Sequence, residues 1–436
     1  YFIAIIYFIM LNPLAQELNN VLKNTTPGEL LSDLGLRIFF PKGIIAQGGE
    51  AKKFGKVANA TIGTTLTGGK PAILEAVHKY APELSAGELV SYMPTAGNPE
   101  LRALWKDLIY KKNPGLKGKS ISMPVVVPGL TAGISYLADL FLDEDKPLLS
   151  PNPSWDNYAL IVETRRNSQL HTFNLFSGDG FDLDSFKKAV EKEAETGFVR
   201  LLLNFPQNPS GYSPTNAEAA QIVKIIRNIA EKGAKVLIWD DDAYFGLNYE
   251  NDIYPQSLFA EFADLHENVL AVKIDGPTKE DFVWGFRTGF LTFGGKGLTD
   301  GHYAALEKKL MGLIRSSVSC SSTPSQSLAL RAFSDPALEI QKKNFRKLLE
   351  ERYEEVKKFV TSHTSKNLEA LPFNSGYFMS FHTKVDAEQL RQKILHEKQI
   401  GTVAIDSETL RVAFSSLEKE QVETVYKAIY ECADNM

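Results

Sequence analysis

The sequence has few cysteines and no block of basic residues. Its 436 residues include two cysteines, Cys320 and Cys432, which excludes a multi-disulfide framework and gives no metal-binding spacing. This scarcity favours a reducing compartment, so we expect a cytoplasmic protein. The formal net charge is −5, and neither nucleic acid nor an anionic membrane is therefore an expected partner.

The first eleven residues, YFIAIIYFIML, form an apolar segment, but a membrane-spanning helix needs about 20 such residues. A secretory signal needs positive charge near its start, whereas the first basic residue here is Lys23. We interpret the segment as an apolar arm or as an over-long start, with Met10 as the alternative initiator.

The middle of the chain alternates short apolar runs with helical patterns, which predicts an α/β fold. Predicted strands cover residues 124–127, 200–204, 235–239, 269–274 and 289–293. Because these runs are apolar throughout instead of alternating, we expect a mostly parallel sheet with helices on both faces.

Helical patterns begin at Asp184 and at Asn216, and the second one ends at Gly233. A charge-rich helical pattern runs from Pro336 to about Val360. Together with the strands, these patterns place the most regular part of the fold in the middle of the chain.

The length of the chain predicts two unequal domains, since 436 residues exceed a single small core. We assign residues 1–85 to an N-terminal arm and the first part of a small domain. Residues 86–330 then form the large domain, and residues 331–436 complete the small one.

The residues that follow each predicted strand carry the functional signal, because ligands of open α/β sheets bind beyond the carboxyl ends of the strands. They include a Gly/Thr turn, an asparagine, three acids, a tyrosine and a lysine: Gly129-Leu130-Thr131, Asn208, Asp240-Asp241-Asp242, Tyr244 and Lys279. Arg287 follows Lys279 by eight residues. We expect these side chains to meet in one site.

Pyridoxal phosphate is the cofactor that suits this combination. A lysine amine forms a Schiff base with its aldehyde, and a buried carboxylate keeps its pyridine nitrogen protonated. Its phosphate favours the N–H groups of a helix N-terminus together with an arginine fork. Successive strand residues point to opposite faces, so the three acids are not expected to share a metal ion.

The chain resembles the class I and II aminotransferases, which are fold-type-I pyridoxal-phosphate enzymes, over roughly residues 60 to 415. The matching motifs follow the family's order: Asn152-Pro153-Ser154-Trp155-Asp156-Asn157-Tyr158, Asn208-Pro209-Ser210-Gly211, Asp241-Asp242-Ala243-Tyr244, Lys279 with Arg287, and Leu410-Arg411-Val412-Ala413-Phe414. The resemblance implies a large domain with a mixed, mostly parallel sheet between helices. A smaller α+β domain would come from both chain ends.

The resemblance also implies a role for each candidate residue. Lys279 is the Schiff-base lysine and proton carrier, and Asp241 and Tyr244 are the other catalytic residues. Arg411 binds the α-carboxylate of the substrate. The further cofactor contacts are Gly129, Leu130, Thr131, Trp155, Asn208, Thr278 and Arg287, and the further substrate contacts are Gly63, Asn208 and Phe378.

Two more residues imply a homodimer with composite active sites. Tyr92 resembles the family tyrosine that crosses to the neighbouring subunit's cofactor phosphate. Arg315 resembles the aspartate-aminotransferase arginine that reaches the partner's site and pairs with the distal carboxylate of the substrate. The alternative interpretation of Arg315 is an arginine on a helix surface.

Three features depart from the family pattern. Gly276 stands where a serine commonly helps to bind the phosphate, so either Thr278 compensates or the phosphate has one bond fewer. Leu130 stands where a small residue is frequent. The acidic pair Glu280-Asp281 after the lysine is atypical, and the sequence offers no reason for it.

We predict an aminotransferase that moves an amino group between an amino acid and a 2-oxo acid by a ping-pong Schiff-base mechanism. Aspartate, glutamate and aromatic amino acids are the favoured donors. The alternatives are a lyase, a decarboxylase or an aminocyclopropane-carboxylate-synthase-like enzyme of the same fold, and a non-catalytic ligand-binding relative.

Overall fold

The computed structural model of the protein describes residues 11–23, 25, 31, 33–39, 43–61 and 63–436. The predicted apolar arm lies outside these residues except for Leu11, and so does Met10. Within the described ranges, no helix is both long enough and apolar enough to cross a membrane.

The strands are numbered in chain order. They are β1 Ala58–Asn59, β2 Leu66–Thr67, β3 Lys70–Pro71, β4 Val125–Val127, β5 Leu148–Asn152, β6 Leu170–Asn174, β7 Phe176–Ser177, β8 Gly180–Phe181, β9 Phe198–Asn204, β10 Lys235–Asp241, β11 Val269–Asp275, β12 Gly289–Gly294, β13 Leu368–Ala370, β14 Phe378–Thr383, β15 Ile400–Gly401, β16 Val403–Ala404 and β17 Thr409–Ala413.

The helices are also numbered in chain order. They are α1 Pro13–Leu22, α2 Asp33–Arg37, α3 Ile44–Phe54, α4 Glu75–His78, α5 Ala86–Val90, α6 Pro99–Lys112, α7 Leu130–Phe141, α8 Asn157–Ala159, α9 Leu183–Ala194, α10 Asn216–Glu231, α11 Phe259–Phe262, α12 Pro277–Glu280, α13 Asp300–Ser317, α14 Thr323–Phe333, α15 Leu338–Ser362, α16 Ala387–Lys393 and α17 Val422–Asp434. Two π-helical turns, Leu160–Arg165 and Ile394–Lys398, continue α8 and α16. Short 3₁₀ turns cover Ala81–Glu83, Pro114–Leu116, Trp284–Phe286, Phe414–Ser416 and Lys419–Gln421.

A seven-stranded sheet forms the centre of the molecule, in the order β4-β12-β11-β10-β9-β5-β6. β12 is antiparallel to both of its neighbours, and the other strand pairs are parallel. The five predicted strands lie in β4, β9, β10, β11 and β12, which confirms the α/β class. The prediction missed β5 and β6; Pro151 interrupts the apolar run of β5, and prolines argue against a strand inside a sheet.

α10 illustrates why the predicted helices form where they do. The Thr215 hydroxyl accepts the backbone N–H of Glu218, while the Glu218 carboxylate accepts the backbone N–H of Thr215, which closes a capping box. Ile222 and Ile229 are buried on one face, and Gly233, with φ of 104°, follows the end of the helix. The helical patterns predicted from Asp184, Asn216 and Pro336 are confirmed in α9, α10 and α15.

A four-stranded antiparallel sheet in the order β13-β14-β17-β16 forms a second layer. β1 pairs in parallel with β15, so a segment from the first part of the chain joins the C-terminal region. The domain boundaries at residues 85 and 330 stay a prediction.

α15 belongs to two hydrophobic cores. Leu338 and Leu349 pack in the core on one face of the central sheet. Tyr353 and Val356, further along the same helix, pack in the core of the second sheet. Within the described chain, α15 therefore connects the two parts of the fold directly.

Candidate active site

A cavity of about 240 Å³ lies beyond the carboxyl ends of β9, β10 and β11. It brings together most of the predicted site residues, and its lining is Leu130, Thr131, Ile134, Trp155, Tyr158, Asn204, Asn208, Asp241, Ala243, Tyr244, Thr278, Lys279 and Arg287. The parallel register explains the convergence, because Asn204 and Asp241 are paired at the same edge of the sheet.

Lys279 lies on α12, the short helix that begins directly after β11. Its amine is 4.7 Å from the centre of the Tyr244 ring. Burial lowers the pKa of Lys279 to about 8; nearby Asp241 opposes this effect, and the Arg287 charge adds to it. An amine with such a pKa is a nucleophile and a proton acceptor near neutral pH.

Asp241 is buried at the end of β10 and faces the cavity. One carboxylate oxygen accepts the Tyr158 hydroxyl at 2.5 Å, and the other accepts the backbone N–H of Ala243 at 3.2 Å. Burial raises the pKa of Asp241, and the Tyr158 hydrogen bond and the Lys279 charge act against that rise. The site therefore presents a fixed carboxylate to whatever occupies the cavity.

The two acids on either side of this carboxylate face away from the cavity, as the strand periodicity predicts. Asp240 and Asp242 both contact Ser257, and Lys273 forms ion pairs with Asp242 and with Asp275, the latter at 3.5 Å. All five side chains are buried. Within the residues that the structure describes, no group of three His, Cys, Asp or Glu side chains could hold a metal ion.

The opposite end of the cavity suits an anion. Gly129 precedes α7 with φ of 91°, a conformation that favours glycine, and a Cβ there would lie 2.4 Å from Nη2 of Arg287. Arg287 thus packs directly against the turn that opens α7. Thr131 is the second residue of that helix and not its N-cap, so its hydroxyl has no capping role. Helix N–H groups and a guanidinium together attract phosphate.

The structure links two of the departures from the family pattern. A Cβ on Gly276 would lie 2.9 Å from the backbone oxygen of Thr288 and 3.1 Å from Cδ1 of Leu130. The leucine side chain therefore fills the space into which a serine at position 276 would extend. Thr278 lines the cavity, and its buried Oγ1 has no hydrogen-bond partner among the described atoms.

Arg411 is buried on β17, next to the cavity. It donates to Oδ1 of Asn208 at 2.8 Å and to the backbone oxygen of Thr61 at 3.0 Å. Its guanidinium lies 4.2 Å from the centre of the Phe378 ring. Burial lowers the pKa of Arg411 to about 10, and its Nε has no hydrogen-bond partner among the described atoms.

The remaining predicted substrate contacts lie around this arginine. A Cβ on Gly63 would lie 3.1 Å from the Phe378 ring and 3.7 Å from the Tyr244 hydroxyl. Gly63, Phe378, Tyr244 and Arg411 are therefore neighbours in the fold.

Tyr92 and Arg315 do not line the cavity of their own chain. Tyr92 is 92% exposed, and Arg315 is exposed in the last turn of α13. Both were predicted to act across a dimer interface, and these roles stay predictions.

Sequence reasoning missed two tyrosines of the site. Tyr158 holds Asp241, and Tyr377 donates its hydroxyl to the backbone oxygen of Lys279 at 2.9 Å. The signal for Tyr158 was its place three residues after Trp155 in a recognised motif. Tyr377 precedes the predicted contact Phe378, but nothing in the sequence joins it to Lys279.

A comparison with protein families matches residues 56–429 to the family described as aminotransferase class I and II. The chain belongs to this family. It is an aminotransferase, as predicted, and it has the fold-type-I architecture. Members of the family generally depend on pyridoxal phosphate and act on amino acids and 2-oxo acids.

Solved aminotransferase structures share this fold. An aminotransferase from Anaerococcus prevotii is 22% identical, with a TM-score of 0.80 over 91% of this chain and 97% of that chain. The Pyrococcus horikoshii kynurenine aminotransferase is 15% identical, with a TM-score of 0.76 over 94% and 98%. A Thermus thermophilus aspartate aminotransferase mutant is 18% identical, with a TM-score of 0.73 over 92% and 99%. The curated proteins contain no match to this chain.

The cavity residues of this aminotransferase fit pyridoxal phosphate. The buried carboxylate of Asp241 and the Arg287 guanidinium line the same cavity as the Lys279 amine, and both charges act on that amine. The unpartnered Thr278 hydroxyl adds a donor, and the half-buried Trp155 offers an aromatic face. An acid, an amine and an anion-binding turn are the three groups that this cofactor requires.

Proposed function

We propose that this aminotransferase binds pyridoxal phosphate and moves an amino group from an amino acid to a 2-oxo acid in a ping-pong cycle. The observation that carries the proposal is the position of the Lys279 amine in a cavity that also contains Asp241 and Arg287. Burial in this cavity lowers the pKa of the amine to about 8. When bound, the cofactor supplies an aldehyde and a protonated ring that accepts electrons from the substrate Cα.

Each cavity residue has a part in this proposal. Asp241 holds the proton on the ring nitrogen, and Tyr158 keeps that carboxylate in place. Asn208 and Tyr244 bind the phenolic oxygen, and Trp155 stacks on the ring. Arg287 binds the phosphate at the anion-binding end of the cavity. The other residues that contact the phosphate there are Gly129, Leu130, Thr131 and Thr278.

Lys279 also carries the proton that the reaction moves. A pKa of about 8 lets the amine take a proton from the substrate Cα and release it again near neutral pH. The neighbouring Tyr244 ring, 4.7 Å from the amine, favours its protonated form through a cation–π contact.

Arg411 binds the α-carboxylate of the substrate in this proposal. Its Nε is buried without a partner among the described atoms, and a bidentate carboxylate would supply one. For the side chain, we propose aspartate and glutamate, with Arg315 of a second subunit binding the distal carboxylate. Solved relatives include enzymes described as aspartate and aromatic aminotransferases, so aromatic donors belong to the same proposal.

A homodimer completes the site. Val90 is 82% exposed and Tyr92 is 92% exposed, and two large side chains projecting from one short segment suit an interface. Tyr92 would then reach the partner's cofactor phosphate. We also propose that the enzyme is cytoplasmic, which its two free cysteines support, and that its domains divide near residues 85 and 330.

The test is a screen of amino donors with 2-oxoglutarate, comparing the wild type with Arg315→Ala. A desolvated arginine–carboxylate pair contributes on the order of 2–5 kcal/mol. Arg315→Ala should therefore lower kcat/KM for aspartate by roughly 30- to several-thousand-fold and spare alanine and phenylalanine. Equal losses for all donors would refute the role of Arg315. Carbon dioxide or an elimination product without amino transfer would indicate the lyase or decarboxylase alternative.

A further inference from the structure

The acidic pair that follows Lys279 is enclosed between two lysines. Glu280 Oε1 lies 2.6 Å from the Lys112 amine and 2.8 Å from the Lys342 amine, and Asp281 Oδ1 lies 2.8 Å from the Lys342 amine. The four side chains are between 2% and 21% exposed. We call these four residues the clamp; its two negative and two positive charges balance.

The clamp joins three elements of the fold. Lys112 ends α6, Glu280 ends α12, and Lys342 lies in the second turn of α15. The two lysine charges hold the pKa of Glu280 at about 2, against the effect of burial. Removing one partner of a buried ion pair leaves an uncompensated charge and is strongly destabilising. The position of Glu280, one residue from Lys279, is therefore strongly fixed.

The backbone between Lys279 and Arg287 needs such support. Phe282 and Arg287 have φ values of 57° and 50°. This region is unfavourable for residues other than glycine and persists only where the surroundings enforce it. The Phe282 ring lies 5.0 Å from the ring of Phe345. Phe345 follows Lys342 by three residues, so both lie on the same face of α15.

Contacts with other elements of the fold also fix the segment between Lys279 and Arg287. Tyr377, just before β14, donates to the backbone oxygen of Lys279 at 2.9 Å. α15 itself is anchored through Leu338 and Leu349 in one core and through Tyr353 in the other. The clamp thus ties the segment that carries Lys279 and Arg287 to the helix that connects both parts of the fold.

We propose that Lys112 and Lys342 are positioning residues, which fix Glu280 and Asp281 so that Lys279 keeps its place in the cavity. This inference rests on the proposed function of Lys279 as the reactive amine. Stability alone does not call for charges here, because well-packed apolar residues of similar volume often stabilise a core as well as a buried ion pair does. The hydrogen-bonded ion pairs of the clamp also fix the orientation of the backbone next to Lys279.

The test uses the cofactor-loaded enzyme with Lys342→Met, Lys342→Arg and the matched control Lys343→Met, which changes the exposed neighbour on the same helix. A displacement of about 1 Å at a reactive group costs on the order of a hundredfold in rate. Lys342→Met should lower kcat by roughly 10- to 100-fold and change KM for the amino acid less than about threefold, because Arg411 lies outside the clamp. The pH midpoint of the visible absorbance of the bound cofactor should also move. Lys342→Arg should restore most of both properties.

A second variant separates position from stability. Lys342→Met combined with Asp281→Asn keeps the charges balanced, because Glu280 and Lys112 still pair. We expect its melting temperature to recover towards the wild type while kcat and the absorbance midpoint stay altered. The inference would be overturned if folded Lys342→Met or the folded double variant had wild-type kcat and a wild-type absorbance midpoint. It would also be overturned if the double variant recovered the melting temperature, kcat and the absorbance midpoint together. A wild type that neither binds pyridoxal phosphate nor transfers amino groups would instead refute the proposed function.

Discussion

Replacing Lys279 by methionine is expected to stabilise the cofactor-free protein at pH 7. The pKa of Lys279 lies at about 8, against an ordinary 10.5 for lysine. At 1.36 kcal/mol for each pKa unit, the protonated amine destabilises the native state by about 2–3 kcal/mol, with screening by water in the cavity allowed for. Methionine keeps much of the side-chain volume and carries no charge to bury.

The gain should depend on pH in a defined direction. Below pH 8 both the native and the unfolded chain carry the proton on Lys279, so the cost of burying it is fully present. Between pH 8 and pH 10.5 only the unfolded chain keeps the proton on Lys279. The cost therefore falls steadily as the pH rises and is gone above about pH 10.5. The advantage of Lys279→Met should therefore shrink by about 2 kcal/mol between pH 7 and pH 9.5.

Urea denaturation of the cofactor-free protein at fixed protein concentration measures this effect. The control is Lys296→Met, a change at an exposed lysine after β12. Because surface substitutions have small effects, we expect it to change the free energy of unfolding by less than about 0.5 kcal/mol. No gain for Lys279→Met at pH 7, or an equal gain at both pH values, would refute the argument that burial governs this amine.

Three further changes test other parts of the site. Arg411→Lys keeps the charge but loses the fork, so kcat/KM for amino acids should fall roughly 30-fold or more, and a loss below about threefold in steady-state assays would contradict its role. Thr278→Val should raise the dissociation constant of pyridoxal phosphate about tenfold or more in equilibrium dialysis, because one hydrogen bond to a charged group is lost. Adding Gly276→Ser should not restore the affinity for the cofactor, since neighbouring atoms fill the space that the serine side chain would need. Tyr92→Phe should weaken cofactor binding by a similar factor in a protein that light scattering shows to be a dimer, whereas a fully active monomer would contradict the composite site.

Much of the fold could be predicted because the pattern of the central sheet is local. Strands β9, β10 and β11 are apolar runs bounded by turn residues. The family motif that ends at Tyr244 selected Asp241, and of the three acids it is the one that lines the cavity. The antiparallel direction of β12, which lies between β4 and β11, was not predictable, since an apolar run does not indicate the direction of its strand. β5 was not predicted as a strand, because Pro151 weakens its strand pattern.

The contacts that support the site were less predictable than the site itself. Lys279, Asp241 and Arg287 stand at recognisable spacings, but Lys342 lies 63 positions after Lys279 on a helix that reads as an ordinary charged surface. Only the folded chain shows that this lysine and Lys112 together balance the charge of the acidic pair. Gly276 and Leu130 likewise appeared as two separate departures. The structure links them, because a Cβ on residue 276 would lie only 3.1 Å from Cδ1 of Leu130.

Borohydride reduction followed by peptide mapping shows which lysine forms the Schiff base with the cofactor. We expect the purified enzyme to be yellow and reduction to fix pyridoxal phosphate to Lys279. Lys279→Ala should still bind the cofactor but lose amino transfer by several orders of magnitude. An adduct on Lys273, which is buried among acids, or on the exposed Lys296, would contradict the assignment of the reactive lysine.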